Sequence, residues 1–179
     1  MFRFINKKSS TESLSTIGME SFFVSYKLSD GSLVKVKIFD TAGQEIYRSL
    51  SQNYYKKADC CLLVYDITSE KSFLEIKDYY IQNIKEKCKK NIKVVLLGNK
   101  TDLEENRQVS SQEGADLSLE NDYTFMETSC LKNTNVADAF ETLIENTNID
   151  LQKQNLKNSN IQIVLEENKN EKQKSYCCW

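Results

Sequence analysis

The chain has no His and no Pro, and only five Gly among its 179 residues. Without imidazole, the Ser-His and Cys-His hydrolases and the His-containing zinc sites lack their base or ligand. Without Pro, turns and helix ends must be set by Gly and by polar clusters. No apolar run approaches the roughly 20 residues of a membrane span, and the opening MFRFINKKSS holds no stretch long enough for a secretory signal. A charge excess is lacking too. The 24 Lys and Arg nearly balance 26 Asp and Glu, for a net −2, which argues against binding nucleic acid through its phosphates. The six Cys show no metal or redox spacing, so reduced thiols in a cytoplasmic protein are expected.

What is present is the composition of one folded domain, 40% apolar and 28% charged. Residues 22–29 and 33–39 alternate apolar and polar side chains on either side of Asp30-Gly31, which predicts an antiparallel hairpin. Residues 60–67 and 92–99 are continuous apolar runs, as expected of parallel strands covered on both faces. Between them Phe73, Ile76, Tyr80 and Ile84 recur at helical spacing and predict a crossover helix. A capping-box pair, Ser110 and Glu113, marks a second helix, a short strand follows over 123–127, and Val136, Ala139, Phe140, Leu143 and Ile144 mark a third helix. Composition shifts to Asn, Lys, Gln and Glu near Gln152. The expected organisation is therefore a domain over 1–151 and a flexible tail over 152–179.

The chemistry is concentrated in short strings. Asp40-Thr41-Ala42-Gly43-Gln44-Glu45 begins where a strand ends, at the edge where open α/β sheets bind ligands. There Asp40 can hold Mg²⁺ through water, the Gly43 N–H can approach a terminal phosphate, and Gln44 can orient an attacking water.

This string resembles the Ras-like small GTPases, and among them the Rab family. Asn99-Lys100-Thr101-Asp102, Glu127-Thr128-Ser129-Cys130 and Ser15-Thr16-Ile17-Gly18 extend the likeness, together with Tyr54-Tyr55 and the run from Leu63 to Thr68. The resemblance covers about residues 2 to 147. It implies GTP and GDP as ligands with Mg²⁺, the metal held by Thr16 and Asp40. Asp102 would accept the guanine N–H groups, Asn99 would tie the loop, the Lys100 stem would cover the ring, and the backbone at Ser129 and Cys130 would meet the guanine oxygen. It implies Gln44 as the residue that positions water. It also implies effectors at the switch regions, an exchange factor, a GTPase-activating protein and the prenylation machinery. Cys177 and Cys178 would carry lipid that holds the protein on the cytosolic face of intracellular membranes, in vesicle traffic.

Two departures stand out. Leu131 occupies the place of a Lys in the base loop, and no G-x-x-x-x-G-K-[ST] occurs anywhere. The fold class implied is thus α/β, an incomplete small-GTPase sheet, mostly parallel with one antiparallel hairpin and helices on both faces, its first strand missing. That absence would leave two buried strands without a ladder partner. Either the remaining strands close up, or a segment upstream of an internal Met completes the sheet; the second is the expectation, with a genuine short form as the alternative. A switch GTPase is the expected function, with a non-catalytic interaction module that binds nucleotide poorly as the alternative.

Overall fold

The computed structural model describes residues 19–41, 55–153 and 160–167. Strands β1 (Met19–Lys27) and β2 (Leu33–Thr41) form the antiparallel hairpin, with Val24 opposite Val36 and Tyr26 opposite Val34. Gly31 closes it at φ 86°, a left-handed conformation that its missing Cβ permits. Asp30 Oδ1 fixes the turn by accepting from the Ser32 amide at 2.9 Å. Because the turn takes residues 28–32, β1 stops short of the predicted 29, and both strands run further at their other ends.

The apolar runs become β3 (Cys60–Asp66) and β4 (Lys93–Asn99), which are parallel. The crossover between them is α1 (Glu70–Glu75) and α2 (Ile81–Lys87), joined by a π-helical turn over Ile76–Tyr80. The Ser69 hydroxyl caps α1 by accepting from the Ser72 amide. After β4, α3 (Ser111–Glu120) opens with the expected capping box: Ser110 Oγ accepts from the Glu113 amide at 3.2 Å, and Glu113 Oε2 from the Ser110 amide at 2.8 Å. Strand β5 (Thr124–Thr128) lies parallel to β4, and α4 (Val136–Lys153) follows.

The sixth strand corrects the expectation of a flexible tail over 152–179. Helix α4 carries on to Lys153, and residues Asn160–Glu167 form β6, inserted in the middle of the sheet, so that the strand order is β1-β2-β6-β3-β4-β5. It runs parallel to both neighbours, with Ile163 opposite Ile38 on one side and Cys60 on the other. The described sheet therefore neither closes up nor leaves the inner edges of β2 and β3 open. Strand β6 is the ladder partner of both β2 and β3.

This placement agrees with the handedness of the whole. From β3 to β4 to β5 the chain steps one way along the sheet, with α1 to α3 on the face lined by Cys61, Leu63, Tyr65 and Leu96. From β5 to β6 it steps back, with α4 on the opposite face against Leu62, Val95, Ile161 and Ile163. Reversing both direction and face keeps the hand of a parallel crossover unchanged, as the strong preference for one hand requires.

The hold on β6 comes from burial of Ile161, Ile163, Val164 and Leu165, at about 1.5–3 kcal/mol each, and from ladder bonds to the strands on both sides. Asp59 adds a further grip: its amide donates to the Gln162 carbonyl and its Oδ2 accepts from the Gln162 amide, both at 2.9 Å. If β6 is inserted, Ile163→Ala should lower unfolding free energy by about 2–5 kcal/mol in chemical denaturation. A change within about 0.5 kcal/mol, as expected for a surface position, would contradict the insertion.

Candidate functional site

All five parallel strands point their carboxyl ends to one edge, and the predicted residues that fall among those described lie along it. Asp40 stands near the end of β2, Asp66 ends β3, Asn99 ends β4 and Thr128 ends β5. In register, Asp66 lies opposite Asn99 and Asn99 opposite Thr128, whereas Asp40 lies opposite Leu165 of β6. Leu165 in turn lies opposite Leu62, and Leu62 opposite Val95, so three strand steps and four residues along the strand, about 14 Å across and about 13 Å along, separate Asp40 from Asn99. Thr16, Gly43, Gln44, Cys177 and Cys178 lie outside the described residues.

At the Asn99 end the structure brings together Asn99, Lys100, Asp102, Ser129 and Cys130. Asn99 is buried, and its Oδ1 accepts from Thr128 Oγ1 at 3.2 Å, which ties the loop after β4 to β5. Thr101 Oγ1 makes the reciprocal tie by donating to the Thr128 carbonyl at 3.2 Å. Lys100 adopts φ 72°, a left-handed backbone that a β-carbon disfavours, and this turns the chain sharply into the 3₁₀ segment Thr101–Asn106. The turn presents Asp102 to Ser129, whose hydroxyl donates to Asp102 Oδ1 at 2.5 Å and also accepts from the Lys132 amide at 2.9 Å. A carboxylate thus stands at the mouth of the loop, held by a buried serine.

Lys100 points its ammonium at the next strand, with Nζ 2.6 Å from Asp66 Oδ2. Asp66 is fixed in turn by the Thr68 amide and hydroxyl, which donate to Oδ1 at 2.9 and 2.7 Å. The Lys100 side chain thereby reaches from the end of β4 to the end of β3. Leu131 is 57% exposed, an apolar side chain available beside the same loop. Cys130 is a free, half-buried thiol.

Arg107 supports the site from behind. It donates to Glu127 at 2.7 Å, to Glu104 at 2.7 Å and to the Val109 carbonyl at 2.9 Å. These bonds raise the guanidinium's pKa, and the Arg107 hydrogen bond lowers that of Glu104. Asn135 Nδ2 donates to the Glu127 carbonyl at 2.8 Å, so the end of β5 is clamped from both sides. Sequence reasoning gave no role to Asp66, Arg107 or Thr101. Thr128 and Asp66 lay inside strings it quoted, but the side-chain partners that give them their roles come from different strands. Removing the Thr128 hydroxyl in Thr128→Val should cost about 1–2 kcal/mol of stability, measured by denaturation, because Asn99 Oδ1 loses a buried donor; an unchanged midpoint would contradict this tie.

The model of the Ras family matches residues 1–149. The chain is 43% identical over 143 residues to Ras-related protein Rab-8B of Pongo abelii, covering 80% of this chain and 68% of the relative. Identity and coverage are the same for Ras-related protein Rab-8A of Bos taurus. It is 40% identical over 159 residues to Ras-related protein Rab-8 of Diplobatis ommata, covering 89% of this chain and 75% of the relative.

Proposed function

Since the chain belongs to the Ras family of small GTPases, in its Rab branch, we propose that it is a guanine-nucleotide switch of membrane traffic whose base pocket is the Asn99–Asp102 loop. The observation that carries this reading is Asp102 held by Ser129 at 2.5 Å, next to an Asn99 locked to Thr128. A carboxylate can accept both the ring N–H and the exocyclic amine of guanine, whereas adenine offers no matching pair. The Ser129 bond fixes the orientation of Asp102 in advance, so little ordering is needed on binding. In the same reading the Lys100 stem lies over the base and the backbone at Ser129 and Cys130 meets its oxygen.

Among the described residues, the donor set fits the base end, while Asp40 and Asp66 are acidic and Lys100 is engaged by Asp66. Triphosphate needs the opposite charge there. Asp40, with Thr16, remains the proposed holder of Mg²⁺, which would neutralise phosphate charge, and Gln44 the proposed positioner of water. Exchange and GTPase-activating proteins would act on the same surface, as would effectors. Phe23, 70% exposed on β1, offers them an apolar anchor.

The 179-residue chain should therefore bind guanine nucleotides weakly but selectively. In a fluorescence titration with labelled GDP and ADP, guanine should be preferred, and Asp102→Asn should reduce that preference by about tenfold or more. Equal binding of the two nucleotides would exclude the assigned pocket.

Membrane attachment rests on Cys177 and Cys178, two thiols near the end of a polar segment with Lys169, Lys172 and Lys174. No described helix is long and apolar enough to cross a membrane. One prenyl chain gives reversible binding and two give stable anchoring. Replacing either cysteine by Ser should shift part of the protein out of membrane fractions, and replacing both should release it. Free thiols on the C-terminal peptide of membrane-bound protein, seen by mass spectrometry, would refute attachment through them.

A further inference from the structure

Asp66 is given no contact with nucleotide in the reading above, yet each of its polar groups is engaged. Its amide donates to Ser72 Oγ at 3.0 Å and its carbonyl accepts from the Ser69 amide at 3.0 Å, so the end of β3 is joined to the start of α1. Its Oδ1 accepts from the Thr68 amide and hydroxyl at 2.9 and 2.7 Å. These bonds aim Oδ2 at Lys100 Nζ, 2.6 Å away. The Asp66 side chain is 16% exposed and that of Lys100 12%, so water and salt screen the pair weakly.

At the other end of this pair the backbone is strained. Lys100 holds φ 72° and ψ 36°, the left-handed region that a β-carbon disfavours. A residue persists in that region where its surroundings over-determine it. Here they hold it at three points. On one side the Asn99 carbonyl accepts from the Ile67 amide at 3.0 Å, and on the other the Lys100 carbonyl accepts from the Leu103 amide at 2.9 Å. The third point is the end of the Lys100 side chain, which Asp66 holds from β3. The direction the chain takes at Lys100 decides where Asp102 goes two residues later, and Asp102 has to meet Ser129 Oγ at 2.5 Å.

We infer that Asp66 is a positioning residue for guanine selectivity: by holding the Lys100 ammonium from the neighbouring strand, it fixes the left-handed turn that aims Asp102 at the base. This rests on the guanine-nucleotide reading above and deepens it, because a carboxylate outside the base-contacting strings then sets how well those strings discriminate. Thr68 acts one step further out, by fixing the rotation of the Asp66 carboxylate.

The test is a double-mutant cycle on the full chain, read as the ratio of affinities for labelled GDP and labelled ADP. Asp66→Asn keeps an oxygen for the two Thr68 donors, so the turn after β3 is retained and the charge facing Lys100 is lost. It should cut the preference for GDP by about tenfold. Lys100→Met keeps an apolar stem and loses the same pair, so by itself it should cost about as much. In the Lys100→Met background, Asp66→Asn should change the ratio by less than about twofold, since there is no ammonium left to hold. Thr68→Val removes one of the bonds to Oδ1 and should cut the preference by about threefold, again only when Lys100 is present. It keeps the inference testable if circular dichroism shows Asp66→Asn to be poorly folded. An equal loss from Asp66→Asn in both backgrounds would mean that Asp66 acts only by supporting β3 and α1, and would overturn the inference while leaving the guanine pocket in place. No loss in either background would overturn it in the same way. Equal binding of GDP and ADP by the chain without substitutions would overturn both readings.

Discussion

Parallel strands inside a sheet must be paired along both edges, because an inner backbone edge that is buried and unpaired loses its water without gaining a partner. The join between the hairpin and the rest of the sheet depends on that requirement being met between β2 and β3. It is met by β6, through a register that places Val36 and Ile38 against Ile161 and Ile163, and Cys60 to Leu62 against Ile163 to Leu165. The result is one continuous layer in which α4 covers one face and α1 to α3 the other. Burial there is thorough enough to push the Cys60 thiol up to about 12. Without the strand, β2 would have no ladder to the rest of the described sheet.

The same continuity positions the ligand edge. Asn99, Asp102 and Ser129 depend on β4 and β5, and their hydrogen bonds tie the loops after these two strands without using the hairpin. Asp40 depends on β2, and β2 is aligned to β3 only through β6. The placement of Asp40 relative to Asn99 is therefore set by β6, whose apolar residues 161–165 join the two parts of the sheet.

Much of this was legible in the sequence. The buried runs at 60–67 and 92–99 could only be covered strands, Asp30-Gly31 could only be a tight turn, and Ser110 with Glu113 specified a helix start. The pocket strings were legible because their residues are close along the chain. Two features were not. The full length of α4 was hidden because the polar residues Thr147 and Asn148 are buried in its second half, Thr147 donating back to the Leu143 carbonyl at 2.7 Å. Strand β6 was hidden because a five-residue cluster, Ile161 to Leu165, sits between polar flanks, and composition averaged over 28 residues outweighs it. The cluster's β-branched residues were the available signal. Pairing between residues more than a hundred positions apart leaves no local mark. Gly114 shows the same limit: a β-carbon there would come within 2.5 Å of Tyr65 and Phe125, which only the packed helix reveals.

The central claim is that the C-terminal segment is an inner strand of the sheet. Amide hydrogen exchange of the full chain, resolved by residue, measures this most directly. The amides of residues 161 to 165 should exchange as slowly as those of β3, since both sit in ladders paired on two sides. Exchange of 161 to 165 at the rate of an unstructured chain, with β3 still protected, would contradict it.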